Sequence, residues 1–332
     1  MENMYWGAHL FIGYNAWCEE GAFVPTTYTS PHGRASMKLR FDRHEWNAIV
    51  NKCVQAGINF VVIDIHEGLQ YETHPELSAE GAFTKDELKA ELARLRSLGI
   101  TPVPKLNFSL THNAWLRNYR RLATSDTYNK VCAELINEVC DVFGDIPFFH
   151  IGMDEENLYT SGVQQYAVYR QFDLWWQDLY FLLDVLYKRG VRAAVWSDYM
   201  YEHQEEYIEK MPKDVLQFPW YYLDYWGNCK GDFRGLTDEQ QQYGASDILL
   251  CETRLRCFEL LDKHGFDVIA SSSNHSHKNN TWNMTKFCRE RLTNGHLKGF
   301  LQTIWRPTLG EFRDFYSEAL DLFAEAKAAY DR

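Results

Sequence analysis

The feature that most limits how this chain can fold is an alternation met eight times along it: a short apolar run, a polar loop, then an amphipathic stretch of helical period. The apolar runs are His9–Tyr14, Asn59–Ile65, Thr101–Leu106, Pro147–Ile151, Arg192–Trp196, Val215–Pro219, Phe266–Ala270 and Gly299–Ile304. Phe60-Val61-Val62-Ile63 and Phe148-Phe149-His150-Ile151 are apolar almost throughout, as strands covered on both faces must be. Between the runs, Asp86–Leu98 carries Leu88, Leu92, Leu95 and Leu98 at helical spacing. Thr84 is placed to cap that helix, Glu87 to complete a capping box, and Gly99 to stop it. Thr124–Phe143 and Gln165–Arg189 read as the two longest helices.

Strands that alternate with helices form a parallel sheet with the helices outside. Eight such units fit a closed barrel better than an open sheet. No G-x-G-x-x-G or G-x-x-x-x-G-K-[ST] loop follows a strand, which removes the commonest open-sheet alternatives. The expected fold is therefore α/β: one (β/α)8 TIM barrel spanning residues 1–332 as a single domain. In such a barrel the chemistry sits at the carboxyl ends of the strands.

Composition narrows the partners. With 34 basic and 46 acidic side chains the net charge is −12, which repels phosphate backbones and anionic membranes, so neither nucleic acid nor a membrane is an expected partner. No apolar run approaches the length of a membrane-spanning helix. The eight cysteines include no C-x-x-C pair, and Cys53, Cys132 and Cys140 sit in apolar helical stripes, so no zinc cluster or disulfide framework is expected. His275-Ser276-His277 lacks the spacing of a zinc triad, and no metal or other cofactor is expected. Met1 to Trp6 lacks the pattern of an export signal, so the chain as written reads as cytoplasmic, or as periplasmic or secreted if a signal has been removed. The 11 Trp and 20 Tyr bring flat apolar faces with polar edges. Such faces suit sugar rings, although a large barrel also buries aromatics for packing alone.

The strand exits collect polar and aromatic residues: Asn15 and Trp17; Asp64 and His66; Lys105, Asn107 and His112; Asp154, Glu155 and Glu156; Trp196 and Asp198; Trp220, Tyr221 and Tyr222; Ser273, Asn274 and His275; Trp305 and Arg306. The fourth exit, Phe149-His150-Ile151-Gly152-Met153-Asp154-Glu155, ends in an acidic pair. Two carboxyl groups held close cannot both ionise freely, so one is raised in pKa and becomes suited to general-acid work. An isolated acidic pair is more often a solvated surface feature.

The run from His150 to Glu155 resembles the His-x-Gly-Gly-Asp-Glu motif of glycoside hydrolase family 20, the β-N-acetylhexosaminidases. Ser97 to Asn107 with His112 is similar to that family's third strand and following loop. Ile63-Asp64-Ile65-His66 is similar to its second strand, Trp196-Ser197-Asp198 to its fifth, Trp220 to its sixth and Gly299 to Trp305 to its eighth. The resemblance implies that Glu155 is the acid/base and that Asp154 orients the 2-acetamido group of the substrate, which serves as nucleophile. It implies that His112 and His150 tune the acid, and that Asn15, His66, Asn107, Trp196, Asp198, Trp220, Tyr222, Asn274, Trp305 and Arg306 surround a carbohydrate. Either Tyr222 or Tyr225 could contact the acetamido oxygen.

The departures from the pattern are definite. Met153 stands in place of the second motif glycine. Tyr14-Asn15 replaces a sugar-binding arginine, Ser271 to Asn274 lacks a Tyr-x-Asp, and Trp305-Arg306-Pro307 lacks a Trp-x-Glu. The acid pair is kept while the ring that reads sugar hydroxyls is changed. Two other functions remain open on the sequence: a conventional two-carboxylate glycosidase using Asp64, Asp198 or Glu156 beside Glu155, and a non-catalytic carbohydrate-binding barrel. Arg306 either meets an acidic or sulfated sugar or pairs with a nearby carboxylate.

Overall fold

The computed structural model describes residues 4–20, 32–157, 170–227, 233–234 and 245–331. Cys229 and positions 165–169 of the helix expected over Gln165–Arg189 lie outside the described residues.

The strands are β1 (Tyr5–Phe11), β2 (Phe60–Asp64), β3 (Thr101–Lys105), β4 (Phe149–His150), β5 (Ala193–Trp196), β6 (Leu216–Phe218), β7 (Val268–Ser273) and β8 (Leu297–Thr303). They pair in parallel and in sequence order, and β8 closes onto β1, giving the expected (β/α)8 barrel. Each is followed by one α-helix among the described residues: α1 (Arg43–Gln55), α2 (Lys85–Ser97), α3 (Asp126–Phe143), α4 (Asp173–Lys188), α5 (Gln204–Lys210), α6 (Ala245–Lys263), α7 (Asn280–Arg291) and α8 (Arg313–Tyr330).

Local chemistry accounts for several of these bounds. Thr84 and Glu87 form the expected reciprocal capping box at the start of α2. Gly99 follows at φ 78°, a left-handed position that glycine takes without a Cβ penalty. In β3, Thr101 and Lys105 bond toward β2, so Pro102 and Pro104, which have no N–H, fall on the side facing β4. The ladder between β3 and β4 is accordingly reduced to the single pair Lys105 and His150.

Three expectations are corrected. β1 lies at Tyr5–Phe11 rather than His9–Tyr14, because the chain leaves the ladder after Phe11. There Ile12 and Gly13 both donate to the Asp64 carbonyl, and the N–H groups of Tyr14 and Asn15 go to the Glu67 carboxylate. The helix expected from Gln165 begins at Asp173, since Phe172 has φ 54° and cannot continue a right-handed helix backward. Finally, α6, with 19 residues, is longer than either of the helices expected to be longest.

Inside the barrel, Phe60, Val62, Val103, Phe148, Ala194, Leu216, Phe218, Ile269 and Leu301 pack against one another. Above them the filling turns polar. His9 Nε2 lies 2.8 Å from Asp64 Oδ2, and Lys105 Nζ donates to both Asp64 oxygens at 2.8 and 2.9 Å. All three side chains are buried. Burial opposes the Asp64 charge, but Lys105 and the two neighbouring histidines hold its carboxyl well below the usual range. This closed, compensated cluster is a rigid plug beneath the strand exits. No helix among the described residues is long and apolar enough to cross a membrane.

Candidate active site

The exit of β4 carries three left-handed residues within four positions. Gly152, Met153 and Glu155 all have positive φ, at 77°, 73° and 55°. The left-handed turn throws the next side chains out of the strand direction and into the barrel mouth. Gly152 is required: a Cβ there would sit 1.9 Å from Asn107 Oδ1. Met153 occupies the motif's second glycine position in a conformation that favours glycine, and its side chain is buried at 1% exposure.

Neighbouring exits hold this turn. Burial first, and then the Lys105 charge, keep His150 neutral, so its Nδ1 can accept the Gly152 N–H at 3.1 Å. From the β3 exit, Asn107 Nδ2 donates to Asp154 Oδ1 at 2.9 Å and Ser109 Oγ donates to the Asp154 carbonyl. On the far side Arg170 bonds to Glu156, to Asp178 at 3.0 Å and to the Phe108 carbonyl at 2.9 Å, all of them buried. Glu156 also accepts the Leu110 N–H at 3.1 Å. The acidic segment is thus fixed at Gly152, Asp154 and Glu156.

Asp154 and Glu155 open into a pocket of about 910 Å³ at the carboxyl ends of the strands. Its walls also carry Tyr14, Trp17, His112, Asp198, Trp220, Tyr222, Arg254, His275, Trp305 and Arg306. His112 bridges the pair, with Nδ1 3.5 Å from Asp154 Oδ1 and Nε2 3.3 Å from Glu155 Oε2. Burial disfavours its charge, but the charges of Asp154 and Glu155 and the hydrogen bonds to both acids together outweigh it and lift the ring to about 10. In turn, burial raises Asp154, while the His112 charge and hydrogen bond more than offset it and hold the carboxyl well below its usual range. Asp154 is therefore an anion at neutral pH. Its side chain is only 6% exposed, against 35% for Glu155, so Glu155 is the member that reaches outward.

The carboxyl that the surroundings push toward the neutral form is Asp198. Burial, then the Asp154 carboxylate, raise it to about 8. Its Oδ2 accepts the Glu155 N–H at 2.7 Å and its Oδ1 the Trp220 indole N–H at 3.2 Å. Opposite, the Tyr222 hydroxyl accepts from Trp305 Nε1 at 3.2 Å and lies 3.1 Å from Thr303 Oγ1, whose own hydrogen goes to the Ser272 carbonyl at 2.9 Å. Trp220 and Tyr222 stack with ring centroids 5.1 Å apart.

Eight of the residues expected at the site surround this pocket: Asp154, Glu155, His112, Asp198, Trp220, Tyr222, Trp305 and Arg306. The other six do not. Asn107 and His150 act from behind, as described. Trp196 is fully buried and forms the floor, its ring 4.5 Å from His150 and 6.0 Å from Trp305. His66 points down toward Asp64, 3.2 Å away, and stacks on Trp115. Asn15 turns outward to Ser36 and Arg40, leaving Tyr14 and Trp17 to face the pocket. Asn274 reaches back to Gln302 and Glu318, and His275 faces the pocket instead. Tyr225 bonds to Glu252 at the surface. Arg306 has no carboxylate partner among the described residues; it donates to the Trp305 carbonyl at 2.8 Å and lies over Phe315. Arg254, on α6, was not among the expected residues, since nothing in its local sequence ties that helix to a strand exit.

No protein-family model and no curated protein sequence matches the chain. Solved structures do match. The β-N-acetylhexosaminidase from Bacteroides fragilis NCTC 9343 aligns with a TM-score of 0.59 at 13% identity, covering 95% of this chain and 65% of that one. The pneumococcal virulence factor StrH, in a study of N-glycan recognition and hydrolysis, aligns at 0.59 and 13%, covering 98% and 84%. Dispersin B aligns at 0.54 and 13%, covering 86% and 95%. The chain thus spans just under two thirds of the first of these proteins and nearly all of the last. At such identities the shared property is the fold.

Proposed function

We propose that this chain is a glycoside hydrolase that removes a terminal N-acetylhexosamine by a retaining, substrate-assisted mechanism, working through its single barrel. The observation that carries the reading is the His112-bridged pair: a buried, ionised Asp154 beside an outward-reaching Glu155. The fold shared with β-N-acetylhexosaminidases supports it.

In this mechanism Glu155 gives its proton to the glycosidic oxygen. The acetamido carbonyl oxygen attacks C1 as the C1–O bond breaks, and an oxazolinium ring forms. Asp154 Oδ2, which bonds to no described residue, accepts the acetamido N–H and stabilises the growing positive charge. Tyr222 is the candidate to donate to the acetamido oxygen, because it lines the pocket and Tyr225 is turned away to Glu252. His112, at Glu155 Oε2, stabilises the carboxylate left after proton transfer. That carboxylate then takes a proton from water, which opens the ring at C1 and releases the sugar with retained configuration. Trp220, Trp305 and Trp17 offer faces for the sugar ring, and the buried plug beneath Trp196 closes the pocket as exo action requires.

The conventional two-carboxylate alternative finds less support. Asp64 is locked beneath the floor by Lys105 and His9, and Glu156 is clamped by Arg170. Asp198 faces the pocket, but both its oxygens are engaged and it is pushed toward the neutral form, unsuited to a nucleophile or base. A binding-only barrel has no need of an acid held in a strained turn. Release of aryl alcohol from aryl β-N-acetylhexosaminides tests the reading, with aryl hexosides in parallel. Turnover of neither series would remove it.

A further inference from the structure

We infer that the pocket recognises a sugar bearing an anionic substituent, a sulfate ester or a carboxylate, and that Arg254 is the group that reads it. This rests on the carbohydrate-processing reading above and goes on to the substrate's charge.

The cations around the barrel mouth are mostly committed. Arg40 donates to Asn15, Arg120 and Arg121 face Glu19, Lys105 is bound to Asp64, and Arg170 is bound to Glu156 and Asp178. Arg254 is different. Its side chain lines the pocket, yet among the described residues it has neither an ion pair nor a hydrogen bond, and its Nε is buried without a partner. Two rings hold it in place: the guanidinium carbon is 5.6 Å from the centroid of Trp220 and 5.4 Å from that of Tyr201. Aromatic contact fixes a guanidinium without using its donors. The arrangement leaves a rigid, hydrogen-bond-hungry cation in a protein of net charge −12.

Its position ties it to the chemistry. Trp220 donates to Asp198, and Asp198 holds the Glu155 backbone, so Arg254 stands two side chains from the acid. The pocket is divided accordingly. Asp154, Glu155 and Asp198 come from β4 and β5, whereas Arg254, His275 and Arg306 stand on the β6 to β8 side. At the seventh and eighth exits the residues facing the pocket are His275, Ser276, Trp305 and Arg306, with no carboxylate to accept from neutral hydroxyls. A sugar whose glycosidic bond lies at the acid pair would present its far edge to this cationic wall. A sulfate or carboxylate there matches the planar donor fork of arginine, and a neutral hydroxyl leaves most of its donors unused.

The test is binding of free sugars, which needs no turnover. Wild type and Arg254→Gln are titrated calorimetrically with N-acetylglucosamine, its 3-, 4- and 6-sulfates, glucose and glucuronic acid, at low and high salt. At least one charged sugar should bind wild type about tenfold or more tighter than its neutral parent. That preference should shrink with salt and collapse in Arg254→Gln, while Arg254→Lys keeps part of it. Which charged sugar wins separates sulfate from carboxylate. Equal binding of charged and neutral sugars, or a preference unmoved by Arg254→Gln, overturns the inference and leaves the hydrolase reading intact. Charge-selective binding without hydrolysis of any glycoside removes the hydrolase reading and keeps this one.

Discussion

Asp198 Oδ2 accepts the backbone N–H of Glu155 at 2.7 Å, and through that bond the β5 exit fixes the position of the acid on the β4 exit. The bond matters because Glu155 sits at φ 55°, a conformation that a glutamate adopts only when its surroundings impose it. Asn107, Ser109, His150 and Arg170 impose the rest. The acidic pair is therefore held by the barrel rather than by its own loop.

Glu155→Gln keeps the side-chain volume and removes the transferable proton. Turnover of substrates with poor leaving groups should fall by on the order of 10²–10⁴. Substrates with good leaving groups should lose less, since their departure needs little protonation. Steady-state rates on a leaving-group series check this; equal losses across the series would assign Glu155 another role.

Asp154→Asn removes a charge whose effect grows as the oxazolinium forms. Turnover should fall while KM stays within a few-fold, because the interaction strengthens in the transition state more than in the ground state. A thiazoline mimic of the intermediate should inhibit the wild type and bind the variant much more weakly. Comparable inhibition of both would separate Asp154 from the acetamido group.

Stability should fall as the pH rises above neutrality. His112 is raised from 6.5 to about 10 in the fold, so its contribution is complete below pH 6.5 and is lost as the pH climbs through 10. Asp198 is raised from 3.8 to about 8, so folding favours its protonated form, and that contribution disappears as the pH rises through 8. Above the range in which His150, held neutral in the fold, gains stability with pH, urea midpoints should decline for the wild type from pH 7 to pH 9. In Asp198→Asn that decline should be smaller; an unchanged slope would place the titrating group elsewhere.

Met153→Gly sets two effects against each other. Removing the Cβ relieves roughly 1–2 kcal/mol of left-handed strain. Deleting a buried methionine side chain costs roughly 2–5 kcal/mol. The variant should be net destabilised, by a few kcal/mol at most, in equilibrium denaturation. A gain in stability would mean that the Met153 side chain contributes little packing.

The eight units, their order and the closure of the barrel were legible because each strand is an apolar run and each helix has a 3.6-residue period. The acid pair was legible because it follows such a run directly. What failed was side-chain direction at the exits. Asn15 and Asn274 stand one or two residues from Tyr14, Trp17 and His275, and a turn after the strand sends neighbours to opposite sides, so sequence order alone cannot say which faces the pocket. Trp196 is still within β5, where alternation points it into the barrel interior. Arg254 reaches the mouth from the tenth position of α6, a placement set only by tertiary packing.

Central to the account is the claim that the nucleophile belongs to the substrate. It is tested most directly by rates on aryl N-acetylglucosaminides whose acetyl group carries zero, one, two or three fluorines. Fluorine withdraws electron density from the amide oxygen and leaves the leaving group unchanged. Substrate assistance predicts a stepwise fall in kcat/KM, with the trifluoro compound slower by at least about tenfold, some 1.4 kcal/mol added to the barrier. Rates that stay flat across the series, together with cleavage of aryl glucosides at similar speed, would contradict it and assign the nucleophile to a carboxylate of the protein.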